Sequence, residues 1–143
     1  MGMYTELVLK VELKENLPAK VAHVLSYMLM EIPNPPDVLP NHPFFLCPRW
    51  QRTLCNASHY HHPVPVHSRH TPGYTNSDYL FVRADFKNYH NEIGHFLDWL
   101  FPYVEDGCYD DTGCIGWVWY EEWDHPRLIL RDEQKIWIEK ERV

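Results

Sequence analysis

A chain of 143 residues, 45% hydrophobic and 23% charged, has the length and composition of one globular domain. Its formal net charge is −7, with 20 acidic and 13 basic residues. This balance argues against nucleic acid as a partner, because a phosphate backbone requires a basic stripe. We find neither a secretory signal nor an apolar run that could cross a bilayer, so we expect a cytoplasmic protein with no membrane partner.

The first predicted element is a β-strand near the N-terminus. Leu7, Leu9, Val11 and Leu13 alternate with mostly polar residues. A period of two is typical of a strand with one buried side and one solvent-facing side.

A helix is predicted to follow at residues 17–32, where apolar side chains recur at helical spacing. Asn16 is a suitable N-cap residue, and Pro18 stands in the first turn, where a proline is tolerated. Pro33 ends the helix because a proline has no backbone N–H to donate.

The middle of the chain, residues 33–73, contains nine of the twelve prolines. Each proline disfavours a central strand, so the pattern predicts a long, irregular, insertion-like region rich in proline and histidine. Short edge strands are predicted at residues 44–46 and 59–66. A loop of this length in a compact domain is often functional.

Regular structure is predicted to return with an alternating strand at residues 79–85. Asn88 can then cap a second helix, which Pro102 bends or ends. The apolar stripe of this helix is formed by Ile93, Phe96, Leu97, Leu100 and Val104. The spacing places Trp99 toward the other side of the helix.

The C-terminal third predicts three strands, around residues 115–120, 128–130 and 136–138. Short turns join them, so neighbouring strands should pair antiparallel. Together the elements predict a single α+β domain over residues 1–143. Its mostly antiparallel sheet carries two amphipathic helices packed on one face, and residues 33–73 form a long irregular middle.

Several short stretches resemble known proteins: MYTELV at residues 3–8, NYHNEI at 88–93, FLDW at 96–99, PYVE at 102–105 and YEE at 120–122. In these stretches the chain resembles small phage- and prophage-encoded proteins of unknown function. The resemblance implies a phage context and the cytoplasm of a host cell. Small acidic proteins in that context often act by binding host proteins. The resemblance implies no catalytic residue.

Histidine and cysteine residues in the middle suggest a metal site. Six of the ten histidines lie in residues 42–70. On an extended backbone His59 and His61 point the same way, and with Cys47 and Cys55 they form a Cys₂His₂ set that suits zinc. The cysteine spacing departs from the usual zinc patterns. Solvated or hydrogen-bonded loop histidines are the alternative interpretation.

The sequence assigns no catalytic residue. Cys47 or Cys55 beside a histidine would be a nucleophile, but no strand–turn–helix elbow or recognised signature surrounds either cysteine. Glu121 and Glu122 are adjacent on a strand and point to opposite faces, so they do not form an acid–base pair. There is no glycine-rich phosphate loop. Zinc is therefore the one cofactor that the sequence leaves open.

Six tryptophans are many for a chain of this length, and not all of them can fit in one core. Because aromatic side chains are enriched at protein interfaces, we expect an exposed aromatic patch. Its predicted members are Trp119, Tyr120, Trp123 and Trp137. The alternative is that all but one or two of the tryptophans lie in the core.

Two functions remain open on the sequence. The first is a small acidic binding protein that docks on a protein partner, on a host defence protein if it is phage-encoded, or on a second copy of itself. The second is a zinc-binding protein or hydrolytic enzyme that uses the middle region. We favour the first, because the regular elements are explained by their role as a scaffold and the sequence contains no recognisable group of catalytic residues. The sheet face opposite the helices is then the expected binding surface.

Overall fold

The structure is a computed structural model, and it describes residues 3–55, 69–72, 78–105 and 113–140. Six strands are present in this part of the chain: β1 (Thr5–Glu12), β2 (Arg69–Pro72), β3 (Asp78–Phe86), β4 (Cys114–Tyr120), β5 (Arg127–Arg131) and β6 (Ile136–Ile138). There are two α-helices, α1 (Ala19–Met28) and α2 (Glu92–Leu100). Three short 3₁₀ helices cover Pro43–Leu46, Trp50–Arg52 and Phe101–Tyr103. Neither α-helix is long and apolar enough to cross a bilayer.

The six strands form one sheet in the order β2-β3-β1-β4-β5-β6, and every neighbouring pair is antiparallel. Strand β1 lies between β3 and β4. The elements from β1 to β4 therefore follow the order strand, helix, strand, strand, helix, strand, with sheet order β2-β3-β1-β4. This is the ferredoxin-like arrangement of two interleaved βαβ units, to which β5 and β6 add an extension on one side.

One side of the sheet holds the core. Leu7, Leu9 and Val11 on β1 are buried and belong to the same apolar cluster as Val82 on β3 and Val118 on β4. Both helices contribute their apolar stripes to this cluster through Val21, Val24, Leu25 and Met28 of α1 and Ile93, Phe96, Leu97 and Leu100 of α2. This confirms the predicted α+β class, with two amphipathic helices on one face of an antiparallel sheet.

The described part of the middle region contributes to this core. The strand predicted at residues 44–46 is wrong: a 3₁₀ turn there buries both Phe44 and Phe45, which a strand would direct to opposite faces. Trp99 is buried although its spacing places it off the helix stripe, because it stacks on Phe44 and meets Phe45 edge-on. The strand predicted at residues 59–66 lies outside the described residues.

A histidine holds this 3₁₀ turn against α2. His42 Nδ1 accepts a hydrogen bond from the backbone N–H of Phe44, at 3.0 Å, and so caps the turn. The imidazole proton is then on Nε2, which lies 3.0 Å from Asp98 Oδ2 on α2. One side chain thus satisfies a helix-end donor and links two elements that are far apart in sequence.

The helix ends differ from the predicted ones. Asn16 adopts a left-handed conformation with φ 58°, and α1 begins one residue after Pro18, so Asn16 is not the cap. The helix ends at Met28 rather than at residue 32, and Met30 follows with φ 63°. At α2 the N-cap residue is Asn91, with φ 54° and no side-chain cap hydrogen bond, so Asn88 is not at the cap position. Asn88 still satisfies one free backbone donor of the first turn, because its Oδ1 accepts the N–H of Ile93 at 3.0 Å.

Gly116 allows β4 to approach β1 closely. A Cβ at this position would overlap the backbone oxygen of Val8. The β4–β5 register also shifts between Cys114 and Gly116, which is a β-bulge that bends the strand and increases its twist. The bulge lies at the edge of the groove described below.

Candidate functional site

The face of the sheet opposite the helices carries the candidate site, which we call the open face. Directly paired residues of antiparallel strands point to the same side. The register pairs Val8 of β1 with Arg83 on one side and Trp117 on the other, and it pairs Lys10 with Phe81. These side chains therefore lie on the side of the sheet opposite Leu7, Leu9 and Val11, which face the helices.

Three aromatic side chains stand out on the open face. Tyr79 is 41% exposed, Phe81 37% and Trp117 38%, and all three line one groove with the buried side chain of Val8 between them. The groove has a volume of about 690 Å³ and also contains Ile115. Its centre is therefore apolar and aromatic, like the anchor regions of protein interfaces.

A buried carboxylate positions one of these aromatics. Glu6 is only 5% exposed, and its Oε1 accepts a hydrogen bond of 2.8 Å from the indole N–H of Trp117. A hydrogen bond to a charged group is stronger than one between neutral groups. The bond therefore restricts the orientation of the Trp117 ring and preorganises the apolar centre of the groove.

Charged side chains surround the apolar centre. Lys10 and Arg83 line the groove on β1 and β3, whereas Glu12 and Glu105 lie together at one end. The backbone brings these two glutamates close, because the N–H of Glu105 donates to the carbonyl oxygen of Glu12 at 2.8 Å. The groove thus combines an aromatic centre with an acidic end.

The predicted aromatic patch is divided between two places. By register, Trp119 pairs with Glu6 and Trp137 pairs with Leu130, which places both tryptophans on the open face. Tyr120 points the other way and packs against Trp123 at a ring distance of 5.9 Å. The Trp119 indole N–H donates to the backbone oxygen of Trp123, at 2.9 Å.

Trp123 is also covered by a cation, since the Arg127 guanidinium lies 3.8 Å from its ring centroid. Together with Tyr120 it lines a second cavity of about 510 Å³ at the opposite end of β4. The four predicted interface residues thus do not form one surface. The exposed set formed by Tyr79, Phe81 and Trp117 was not predicted, although the alternation of these residues within their strands is visible in the sequence.

The structure describes two of the four predicted metal ligands. Cys47 is buried, and its thiol faces the backbone oxygens of Pro43 and His90 at 3.9 and 3.8 Å. Cys55 faces the carbonyl oxygen of its own turn, that of Gln51, at 4.0 Å. His59 and His61 lie outside the described residues. Within the described ranges no three histidine, cysteine or acidic side chains gather as a metal site, and the zinc set stays a prediction.

Cys47 is not set up as a nucleophile in this structure. Burial, followed by the nearby carboxylate of Glu92, raises the pKa of the Cys47 thiol and so disfavours the reactive thiolate. The thiol meets the backbone oxygen of His90 rather than its ring. Burial also raises the pKa of Cys55, against a smaller opposite effect from Arg52. Glu121, another acidic candidate, accepts the backbone N–H of Tyr4 at 2.5 Å and so has a structural role.

The comparisons with known proteins assign no family. No family model matches the chain, and no curated protein or solved structure is significantly similar to it. The function must therefore be argued from the open face itself.

Proposed function

We propose that this is a binding protein whose open face docks a segment of a protein partner. The observation that carries the proposal is the set of exposed aromatic side chains, Tyr79, Phe81 and Trp117, around an apolar groove. Contiguous exposed apolar surface on a soluble domain often marks an interaction site. A few aromatic anchors commonly supply most of the binding energy of a protein interface.

Charge supports a basic and apolar partner segment. Three carboxylates line the groove, from Glu6, Glu12 and Glu105, against the two cations Lys10 and Arg83. The whole chain carries a formal net charge of −7. An apolar side chain flanked by lysine or arginine would fit both the aromatic centre and the acidic end, and the overall charge would steer such a partner toward the protein.

The resemblance to phage proteins extends this proposal to a host protein in the cytoplasm. Inhibition of a host defence protein is its most specific form. We expect expression of the protein to restore plaque formation on a host in which the defence is active, and we expect Tyr79→Ala/Phe81→Ala to lose this effect. Restoration by the variant at the level of the unchanged protein would contradict a role for the open face.

The central test measures partner binding with a matched pair of double variants. A protein captured from host lysate is purified, and its dissociation constant is measured by calorimetry. We expect Tyr79→Ala/Phe81→Ala to weaken binding about tenfold or more, because each aromatic anchor contributes on the order of 1 kcal/mol. Added salt should weaken the complex further if a basic partner segment is bound.

The control is Met30→Ala/Leu46→Ala, which also removes two exposed apolar side chains but leaves the open face intact. Its affinity should stay within twofold of the original. Equal losses in the two double variants would contradict the proposal. A dimer in light scattering that only Tyr79→Ala/Phe81→Ala dissociates would identify a second copy as the occupant instead.

The zinc alternative has its own measurement. Metal analysis of untagged protein decides whether one zinc is bound per chain, and Cys47→Ser and Cys55→Ser report on two of the four predicted ligands. A fully folded, metal-free protein would remove this alternative. One tightly bound zinc without a protein partner would favour it over the binding function.

A further inference from the structure

A third cavity, separate from the open face, is lined by cations. It lies where the start of β1, the end of β3 and the second 3₁₀ helix meet, and it has a volume of about 360 Å³. Its lining residues are Tyr4, Arg49, Gln51, Arg52, Phe86 and Lys87. None of these residues lines the open-face groove. We call this cavity the basic pocket.

The charge of the basic pocket is unusual for this chain. The pocket holds three of the 13 basic residues of a chain that has 20 acidic ones, namely Arg49, Arg52 and Lys87. Among the described residues, none of these three side chains forms a salt bridge with a carboxylate. Three cations that line one cavity without an acidic partner repel one another, and a bound anion would offset that repulsion.

The side chains suit a phosphate group in particular. Two guanidinium groups offer planar pairs of N–H donors that match phosphate oxygens, and Lys87 supplies a point charge. The Lys87 ammonium lies 5.7 Å from the centroid of the Tyr4 ring, which holds it at the pocket. Gln51 adds an uncharged amide donor at the same place. We propose that the basic pocket binds the phosphate group of a small molecule.

Size and charge favour a small molecule over a macromolecule. A volume of about 360 Å³ lies at the lower end of the range for small-ligand pockets. A nucleic-acid backbone requires a basic stripe that follows successive phosphates, and the net charge of −7 opposes one. The shared chemistry of the remaining ligands is a single phosphate, either as the free ion or as a monoester.

The test is a titration of ¹⁵N-labelled protein, in buffer without phosphate, with AMP, inorganic phosphate and adenosine. We expect AMP or phosphate to shift the backbone amide signals of Tyr4, Arg49, Arg52 and Lys87. Adenosine, which has no phosphate, should leave them in place. Tighter binding of AMP would identify a monoester as the ligand, and tighter binding of inorganic phosphate would identify the free ion. Either result supports the phosphate site.

Two charge-matched double variants make the test specific. Arg49→Gln/Arg52→Gln should weaken the binding at least about tenfold, because it removes two charged hydrogen-bond donors to the phosphate oxygens. Lys14→Gln/Lys20→Gln changes the net charge equally, at exposed positions outside the pocket, and should leave the affinity within twofold. Because all four side chains are exposed, both variants should fold. Equal affinities for the two double variants, equal binding of adenosine and AMP, or no shifts at about 10 mM ligand would overturn the proposal.

Discussion

At the scale of single residues, the hydrogen bond between Glu6 and Trp117 connects a buried charge to an exposed ring. Glu6 lies on a strand whose register places it beside the groove, and the indole N–H of Trp117 reaches its Oε1. If the buried Glu6 carboxylate lost this hydrogen-bond donor, the free-energy cost of removing the carboxylate from water would no longer be offset. The bond therefore contributes to stability and also orients the aromatic surface.

Trp117→Phe tests this bond. The substitution keeps an aromatic ring and removes the N–H, so we expect the free energy of unfolding to fall by about 1–2 kcal/mol. Urea denaturation gives the measurement. Trp137→Phe is the control, since the Trp137 indole N–H has no hydrogen-bond partner among the described residues. A loss of the same size in Trp137→Phe would show that the hydrogen bond is not the cause.

Asp132 makes the β5–β6 turn dependent on pH. Its Oδ1 accepts the backbone N–H groups of Gln134 and Lys135 at 2.7 and 2.9 Å, and these two bonds lower the pKa of the carboxyl group. Because the pKa is lower in the folded state, the ionised carboxylate stabilises the folded protein above the unfolded-state pKa of about 3.9. This stabilisation is lost as the pH falls through the folded-state pKa.

Asp132→Ala should therefore be less stable than the original protein at neutral pH, and the difference should shrink as the pH falls below about 4. Thermal unfolding followed at several pH values provides the measurement. Asp132→Asn, which keeps an acceptor oxygen without the charge, should show an intermediate stability. A difference that does not change between pH 7 and pH 2.5 would exclude the charge as the source.

At the scale of elements, the first 3₁₀ helix contains two apolar residues, two positions apart, of which one is buried and the other exposed. Phe44 is fully buried and packs against Phe96 and Trp99, whereas Leu46 is 84% exposed. The Phe44 ring also contacts Trp50 of the second 3₁₀ helix. The described part of the middle is thus part of the core.

Phe44→Ala should lower the free energy of unfolding by about 3–5 kcal/mol, because it removes a large side chain and leaves a cavity. Leu46→Ala, two residues away in the same element, should change it by less than about 0.5 kcal/mol. Chemical denaturation of both variants provides the comparison. A small effect of Phe44→Ala would mean that the 3₁₀ segment separates from the core in solution.

Two glycines provide a second comparison between elements. Gly116→Ala should destabilise the protein by about 2 kcal/mol or more, since the new methyl group would overlap the β1 backbone at Val8. For Gly94→Ala in α2, the three atoms nearest to the new methyl group all belong to the side chain of Asn91, which is exposed and can rotate. Helix propensity then favours alanine by up to about 1 kcal/mol. Differential scanning calorimetry should give opposite or clearly unequal shifts, and equal shifts would contradict the close β1–β4 approach.

At the scale of the whole molecule, the two proposed sites lie on different parts of the fold. The groove is on the open face, across β3, β1 and β4, and the basic pocket is at the end of β1 and β3 beside the second 3₁₀ helix. No residue lines both. Because the two sites share no lining residue, we expect the two binding events to be independent.

Tyr79→Ala/Phe81→Ala should therefore bind AMP or inorganic phosphate with unchanged affinity, and Arg49→Gln/Arg52→Gln should bind the protein partner within about twofold of the original. Distant sites without shared contacts are expected to behave additively. Calorimetry with each ligand in the presence and absence of the other provides the measurement. A change of about fivefold or more would instead reveal coupling between the sites.

The sequence alone determined the fold class and most of the regular elements, although residues 44–46 form a 3₁₀ turn rather than a strand and β2 was not predicted. The alternation at Leu7–Leu9–Val11 and the helical spacing at Phe96–Leu97–Leu100 are local patterns, and each identifies its element without knowledge of the rest of the chain. Because the predicted strands on either side of the middle region have one apolar side and both helices have one apolar stripe, packing the helices on one face was the simplest arrangement.

Only the tertiary structure decided the strand order, the role of the middle region and the surfaces. Strand order depends on pairing between distant segments, and a local period does not specify it. Phe44 became a core residue because α2 presents Trp99 to it, and the short helix there follows from a cap by His42. Tyr79 and Trp117 share a groove because the register of β1 with its two neighbouring strands brings these distant residues together. Arg49 and Lys87 share a pocket because a 3₁₀ turn packs beside the end of β3.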